Sequence, residues 1–174
     1  MVTIQSAGKD DFKKVKRFYD SLIDALAEAE YRPGWQKGIY PPDGFLRESI
    51  QNGELIVATL DGEIAASMIV NHEFNESYLK AEWPTKAAFS EITVIHALGV
   101  HPKFARRGFA KALVSRAIET AKQQQQKVIW LDTLEGNLPA ERLYLDMGFR
   151  YVDTVYMYYE DTGWTNFKLF EYPL

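Results

Sequence analysis

Cysteine is absent from the 174 residues, which excludes disulfides, thiolate metal sites and a cysteine nucleophile. Histidine is scarce: the 3 present, His72, His96 and His101, show no metal-ligand spacing, and no metal is expected. No apolar run approaches the ~20 residues that a membrane helix needs, and the opening MVTIQSAGKDDFKKVKRFYD lacks the apolar core of a signal peptide. These absences predict a cytoplasmic protein without a membrane partner. Positive charge is not in excess either, since the net charge is −4. A nucleic-acid partner is therefore not expected, and any anion site must be a local cluster. The serine-nucleophile pattern G-x-S-x-G and the nucleotide patterns G-x-x-x-x-G-K-[ST] and G-x-G-x-x-G are also missing. What is present is the 47% hydrophobic and 25% charged content of an ordinary folded protein, expected as one domain over 1–174.

Residues 2–5 suggest a first strand, and Asp10 or Asp11 can cap the helix that follows. There Phe12, Val15, Phe18, Tyr19, Leu22, Ile23 and Leu26 recur at helical steps and mark a core-facing stripe. A turn-rich, aromatic stretch, YRPGWQKGIYPPDG, leads to a short helix near Gly44–Gln51. Asp61-Gly62 then joins two β-rich runs, Glu54–Leu60 and Glu63–Asn71, as an antiparallel hairpin. The connection 74–88 takes no assignment. FSEITVIHALGV reads as a central strand, Arg107–Gln124 as a helix, KVIWLD as a strand, LPAERLYLDMGF as a short helix, and two strands flank Asp161–Gly163. The predicted order is β, α, α, β, β, β, α, β, α, β, β.

The stretch GVHPKFARRGFAKAL places a strand end, a basic turn and a helix start in succession. A helix N-terminus has unpaired amides and partial positive charge, so a turn with small residues such as Gly108 and Ala110 makes an anion site. Lys103, Arg106, Arg107 and Lys111 add charge suited to phosphate. The same residues also suit a solvated basic turn capping a core helix.

Read together with the downstream NLPAERLYLDMGF, the segment V-H-P-x-x-A-R-R-G-F-A-x-x-L resembles the acetyl-coenzyme A turn of the GNAT superfamily of N-acetyltransferases. The second signature carries Asn137, Ala140, Leu143, Tyr144, Gly148 and Phe149 at matching places. Ala105 departs from the pattern, standing where the family usually has glutamine or arginine. The resemblance implies an α+β (α/β) fold: a central, mixed, mostly antiparallel sheet of about seven strands with about four helices, its fourth and fifth strands splayed. It implies acetyl-CoA as cofactor, held by Ala105, Arg106, Arg107, Gly108, Phe109, Ala110 and Lys111 at the turn. By the same resemblance Leu98, Gly99 and Val100 pair with the pantetheine arm, and Asn137 and Tyr144 complete the site.

Acetyl transfer to an amine needs a neutral amine, a polarised carbonyl and a proton for the departing thiolate. On a regular strand Val94, His96, Leu98 and Val100 share one face, and His96 alone among them titrates near neutrality. HALGV is similar to the run in arylalkylamine N-acetyltransferases that carries a catalytic histidine, so His96 is the first candidate base. Its other reading is a core histidine bonded to a neighbouring strand. Glu91 is the rival base, on the correct face only if the strand is bulged. Tyr144 is, by resemblance, the general acid, and the carbonyl polariser is a strand amide near Leu98.

The acceptor is expected to be a small primary amine, with a peptide or protein amine as the alternative. Tyr31, Trp35, Tyr40, Trp83 and Phe89 are candidate pocket walls, or else packing that fixes loops to the sheet. A non-catalytic acyl-CoA-binding sensor is the competing reading, disfavoured by the pairing of His96 with Tyr144. Edge strands near the C-terminus leave a homodimer open.

Overall fold

Apolar residues at three- and four-residue steps build α1 (Phe12–Ala25), which buries Val15, Phe18, Tyr19 and Leu22. The other helices are α2 (Asp43–Gln51), α3 (Phe109–Gln123) and α4 (Leu138–Asp146). The β-rich runs form β1 (Val2–Ser6), β2 (Leu55–Leu60), β3 (Glu63–Asn71), β4 (Ile92–Val100), β5 (Val128–Leu134), β6 (Arg150–Tyr159) and β7 (Gly163–Pro173). In this computed structural model, which describes residues 1–174, they make one sheet in the order β1-β2-β3-β4-β5-β7-β6. The element order is the one expected. So is the mixed sheet: β4 and β5 run parallel, and every other neighbouring pair is antiparallel. Asp61 and Gly62 both have positive φ, 51° and 84°, the backbone that a two-residue hairpin turn requires.

Three apolar clusters hold the layers together. One lies between the sheet and α3 with α4, around Leu113, Val114, Ala117 and Phe170. A second lies under α1 and α2, around Leu22, Leu46 and Leu55. The third explains the unassigned 74–88 segment, which is a cap rather than a free loop. Its Tyr78 and Trp83 are buried, and Trp83 stacks on Trp130 of β5 at 3.8 Å between ring centroids. Glu171, buried in β7, fastens that cap by accepting from Thr85 Oγ1 at 3.0 Å and from Arg150 Nε at 2.7 Å.

One irregularity positions the site. Between Ser67↔Gly99 and Ile69↔His96, β3 advances two residues while β4 advances three. The extra residue is a bulge at Ala97, whose φ is +50°. The alternation of β4 is therefore reversed midway, and the expected common face of Val94, His96, Leu98 and Val100 does not exist. Leu98 and Val100 pack with Ile95 on the α3 side. His96 instead faces α2, its ring 5.9 Å from that of Phe45.

Candidate functional site

β4 and β5 pair only at Ile92↔Val128, Thr93↔Ile129 and Val94↔Trp130. Past Val94 the two strands diverge, and the edge of β4 turned toward β5 is open down to Val100. Beyond that open edge the chain enters α3 through Arg106 at φ 63° and Gly108 at φ 80°. The six amides from Arg106 to Lys111 donate to no acceptor within the protein. Left-handed and right-handed residues in alternation turn successive N–H groups into one concavity, which suits an anion. A Cβ on Gly108 would project into open space, so a ligand can lie directly against this backbone.

Two residues expected at the turn act elsewhere. The Ala105 amide donates to the Pro102 carbonyl at 3.1 Å, and Lys103 Nζ is paired with Glu63 at 2.7 Å. Arg106, Arg107 and Lys111 are exposed and make no ion pair.

Where the strands part, a cavity of about 460 Å³ opens, lined by residues from both sides of the split. Tyr144 reaches it from α4. Its hydroxyl makes no hydrogen bond within the protein, and burial, with the charge of Asp132, pushes its pKa above the ordinary value. Asn137 lines the same end: it stands at the N-cap of α4, but its side chain makes no capping bond. His96 lines the cavity and is bonded through Nε2 to Asn71 Oδ1 at 2.7 Å. That Oδ1 also accepts from the Glu73 amide at 3.0 Å, which fixes the Asn71 side chain and makes His96 Nε2 the donor. Burial lowers the His96 pKa to about 4, so the ring is neutral at pH 7.

Asp132 of β5 sits opposite, its Oδ2 accepting from Tyr78 at 2.7 Å and Tyr159 at 2.6 Å. Burial raises its pKa, and the two phenols oppose part of the rise. The remaining walls include Trp35, Tyr40, Phe45 and Phe74. Four acidic residues, Glu73, Asp132, Glu160 and Asp161, are among the lining, and no lysine or arginine is.

Residues 20–149 match the family model described as "Acetyltransferase (GNAT) family". The chain belongs to this family. As a GNAT acetyltransferase it uses acetyl-CoA as acetyl donor. No curated protein matches it in sequence. Solved structures share the fold. A GNAT-family acetyltransferase from Streptococcus agalactiae is 18% identical at TM-score 0.81, with 99% of this chain and 95% of that one covered. The acetyltransferase yncA of Salmonella typhimurium, solved with its cofactor acetyl-CoA, is 16% identical at TM-score 0.72, covering 100% and 94%. The ribosomal-protein-S18-alanine N-acetyltransferase of Escherichia coli is 18% identical at TM-score 0.66, covering 99% and 94%.

The residues of this GNAT chain fit the donor: free amides and unpaired cations suit a diphosphate, and the open β4 edge suits an extended amide-bearing arm. The structure also places the other expected residues, some of them outside the site. Glu91 lies before β4 in a 3-10 turn, bonded to the Ala88 amide at 2.8 Å and paired with Lys127 at 3.0 Å, outside the cavity. The β4 bulge lies farther along the strand and does not bring it in. Gly99 is required for packing, because a Cβ there would collide with Leu22 and lie 3.1 Å from the Trp35 ring. Phe109 buries its side chain in the core and leaves only its amide to the turn. His101 bonds Ser21 and His72 bonds the Ile92 carbonyl, both away from the cavity. Of the expected aromatic walls, Trp35 and Tyr40 line the cavity, whereas Tyr31, Trp83 and Phe89 do not. Sequence reasoning missed Asp132, Asn71, Tyr78 and Tyr159, although Asp132, an acid within an otherwise apolar strand run, was a visible signal.

Proposed function

We propose that the protein acetylates the primary amine of a small molecule by direct transfer within a ternary complex. The observation that carries this reading is the path from six unpaired amides, along an open strand edge, into a cavity holding Tyr144, His96 and Asp132. Bound acetyl-CoA supplies the thioester, whose acetyl carbon forms the new C–N bond as its C–S bond breaks. The amides of Arg106–Lys111 hold the diphosphate, with Arg106, Arg107 and Lys111 adding charge; Leu98 and Val100 offer main-chain groups to the arm, beside Asn137. Tyr144 keeps its proton at pH 7 and donates it to the departing sulfur. Neutral His96, oriented by Asn71, takes the proton released by the amine.

A small acceptor is favoured over a peptide because a hydrogen bond joins two of the segments that border the cavity. Gln36 Nε2, from the loop between α1 and α2, donates to the Asp161 carbonyl in the β6–β7 turn at 2.6 Å. Tyr40, from the same loop, and Tyr159, at the end of β6, line the cavity with ring centroids 6.5 Å apart. The volume of about 460 Å³ also falls in the range of small-molecule sites.

The test is thiol release from acetyl-CoA with a panel of small primary amines and peptide N-termini. Turnover with small amines supports the proposal, and turnover with peptides alone refutes it. Acetyl-CoA binding without thiol release from any amine points to a sensor.

A further inference from the structure

Asp132 has features that the transfer chemistry above does not use. It lies on β5 two residues past the last pairing with β4, where the strands have separated. It has no lysine or arginine partner, and its Oδ1 accepts no hydrogen bond from the protein. On the same strand Thr133, buried and lining the cavity, has an Oγ1 without a partner. A carboxylate removed from water without a cation is costly, and two phenol donors offset only part of that cost.

We infer that Asp132 is the acceptor-recognition residue, its carboxylate capturing the ammonium group of a compact amine whose apolar body lies against Tyr40, Phe45 and Phe74. This rests on the acetyltransferase reading and names the class of its acceptor: one cationic centre on an aromatic or aliphatic frame. Oδ1 takes the ammonium while Oδ2 remains with Tyr78 and Tyr159; the ammonium gives one proton to solvent before transfer, and His96 takes the second as the C–N bond forms. The rings of Tyr40 and Tyr159 add a favourable surface for the cation. An anionic or zwitterionic acceptor is disfavoured, because the lining includes four acidic residues and no lysine or arginine.

A structural role would make Asp132 only a hub joining the 74–88 cap, β5 and β6. Asp132→Asn separates the two roles, since the amide oxygen can still accept from both phenols while the charge is gone. Binding of 2-phenylethylamine and of its uncharged counterpart 2-phenylethanol is measured by calorimetry, with and without coenzyme A. Wild type should prefer the amine at least ~10-fold, and Asp132→Asn should abolish that preference while keeping melting temperature and coenzyme A affinity. Tyr159→Phe should reduce the preference without removing it. A preference that survives Asp132→Asn, or none in wild type, overturns the inference. Failure of coenzyme A to bind would strike the donor site instead, and the amine-to-alcohol ratio without coenzyme A would still judge Asp132.

Discussion

At the turn before α3, one unbroken stretch of chain supplies the amides from Arg106 to Lys111, and the side chains there are small or point outward, except Phe109, which turns into the core. In the cavity, by contrast, His96, Asp132, Tyr144 and Tyr159 come from four separate elements and Tyr40 from the α1–α2 loop, and the side chains do the work. The first region binds with main-chain groups, so its specification is local: where φ must be positive and where bulk is forbidden. The second binds with atoms that only the sheet topology brings together. Binding the donor thus needs one particular backbone shape, while the acceptor can change by altering side chains on the same frame.

The sharpest way to break the comparison is Gly108→Glu. A side chain at φ 80° costs about 1 kcal/mol of stability, and a carboxylate would occupy the space where the anion lies. Acetyl-CoA binding by calorimetry should become undetectable while the fold persists. Unchanged affinity would mean that the turn is not a backbone-built site. Next in size is Tyr144→Phe, which removes one oxygen from the cavity and nothing from the turn. Turnover should fall by about 1000-fold with acetyl-CoA affinity intact. Equal turnover would remove Tyr144 as the acid.

This division also explains what the sequence made legible. Periodicity and turn residues gave the order of all strands and helices, and the Arg106–Ala110 turn was visible because its constraints are written in adjacent residues. Asp132 and Tyr159 stand 27 residues apart, and Tyr78 and Asp132 stand 54 apart. No local pattern records that they meet. The face of His96 was misjudged for a related reason: the bulge at Ala97 is a pairing property of β3 with β4, and nothing within HALGV marks it.

His96 sharpens the contrast through pH. Its pKa of about 4 in the fold lies below the ordinary 6.5 of the unfolded chain, so the unfolded state binds more protons between those values. Stability contributed by the neutral ring is present above pH 6.5 and is lost as pH falls toward 4, by about 3 kcal/mol. His96→Gln should flatten that part of a denaturant-unfolding series, and an unaltered slope would assign the acid sensitivity elsewhere. The same low value means that His96 produces no limb in a pH–rate profile near neutrality, so a limb near pH 6–7 would have to come from another group.

The smallest expected effect is also informative. Glu91 belongs to neither region: the Ala88 amide and Lys127 hold its carboxyl below the usual carboxylate range, on the surface before β4. A group that is ionised but remote from the split cannot take a proton from an amine bound there. Glu91→Gln should therefore leave turnover and its pH dependence unchanged in a steady-state assay. A loss of ~10-fold or more in kcat would require a water chain from the cavity to the start of β4. That result would move the base from the bulged segment to the paired one, and the acceptor side would then no longer be confined to the region where β4 and β5 have separated.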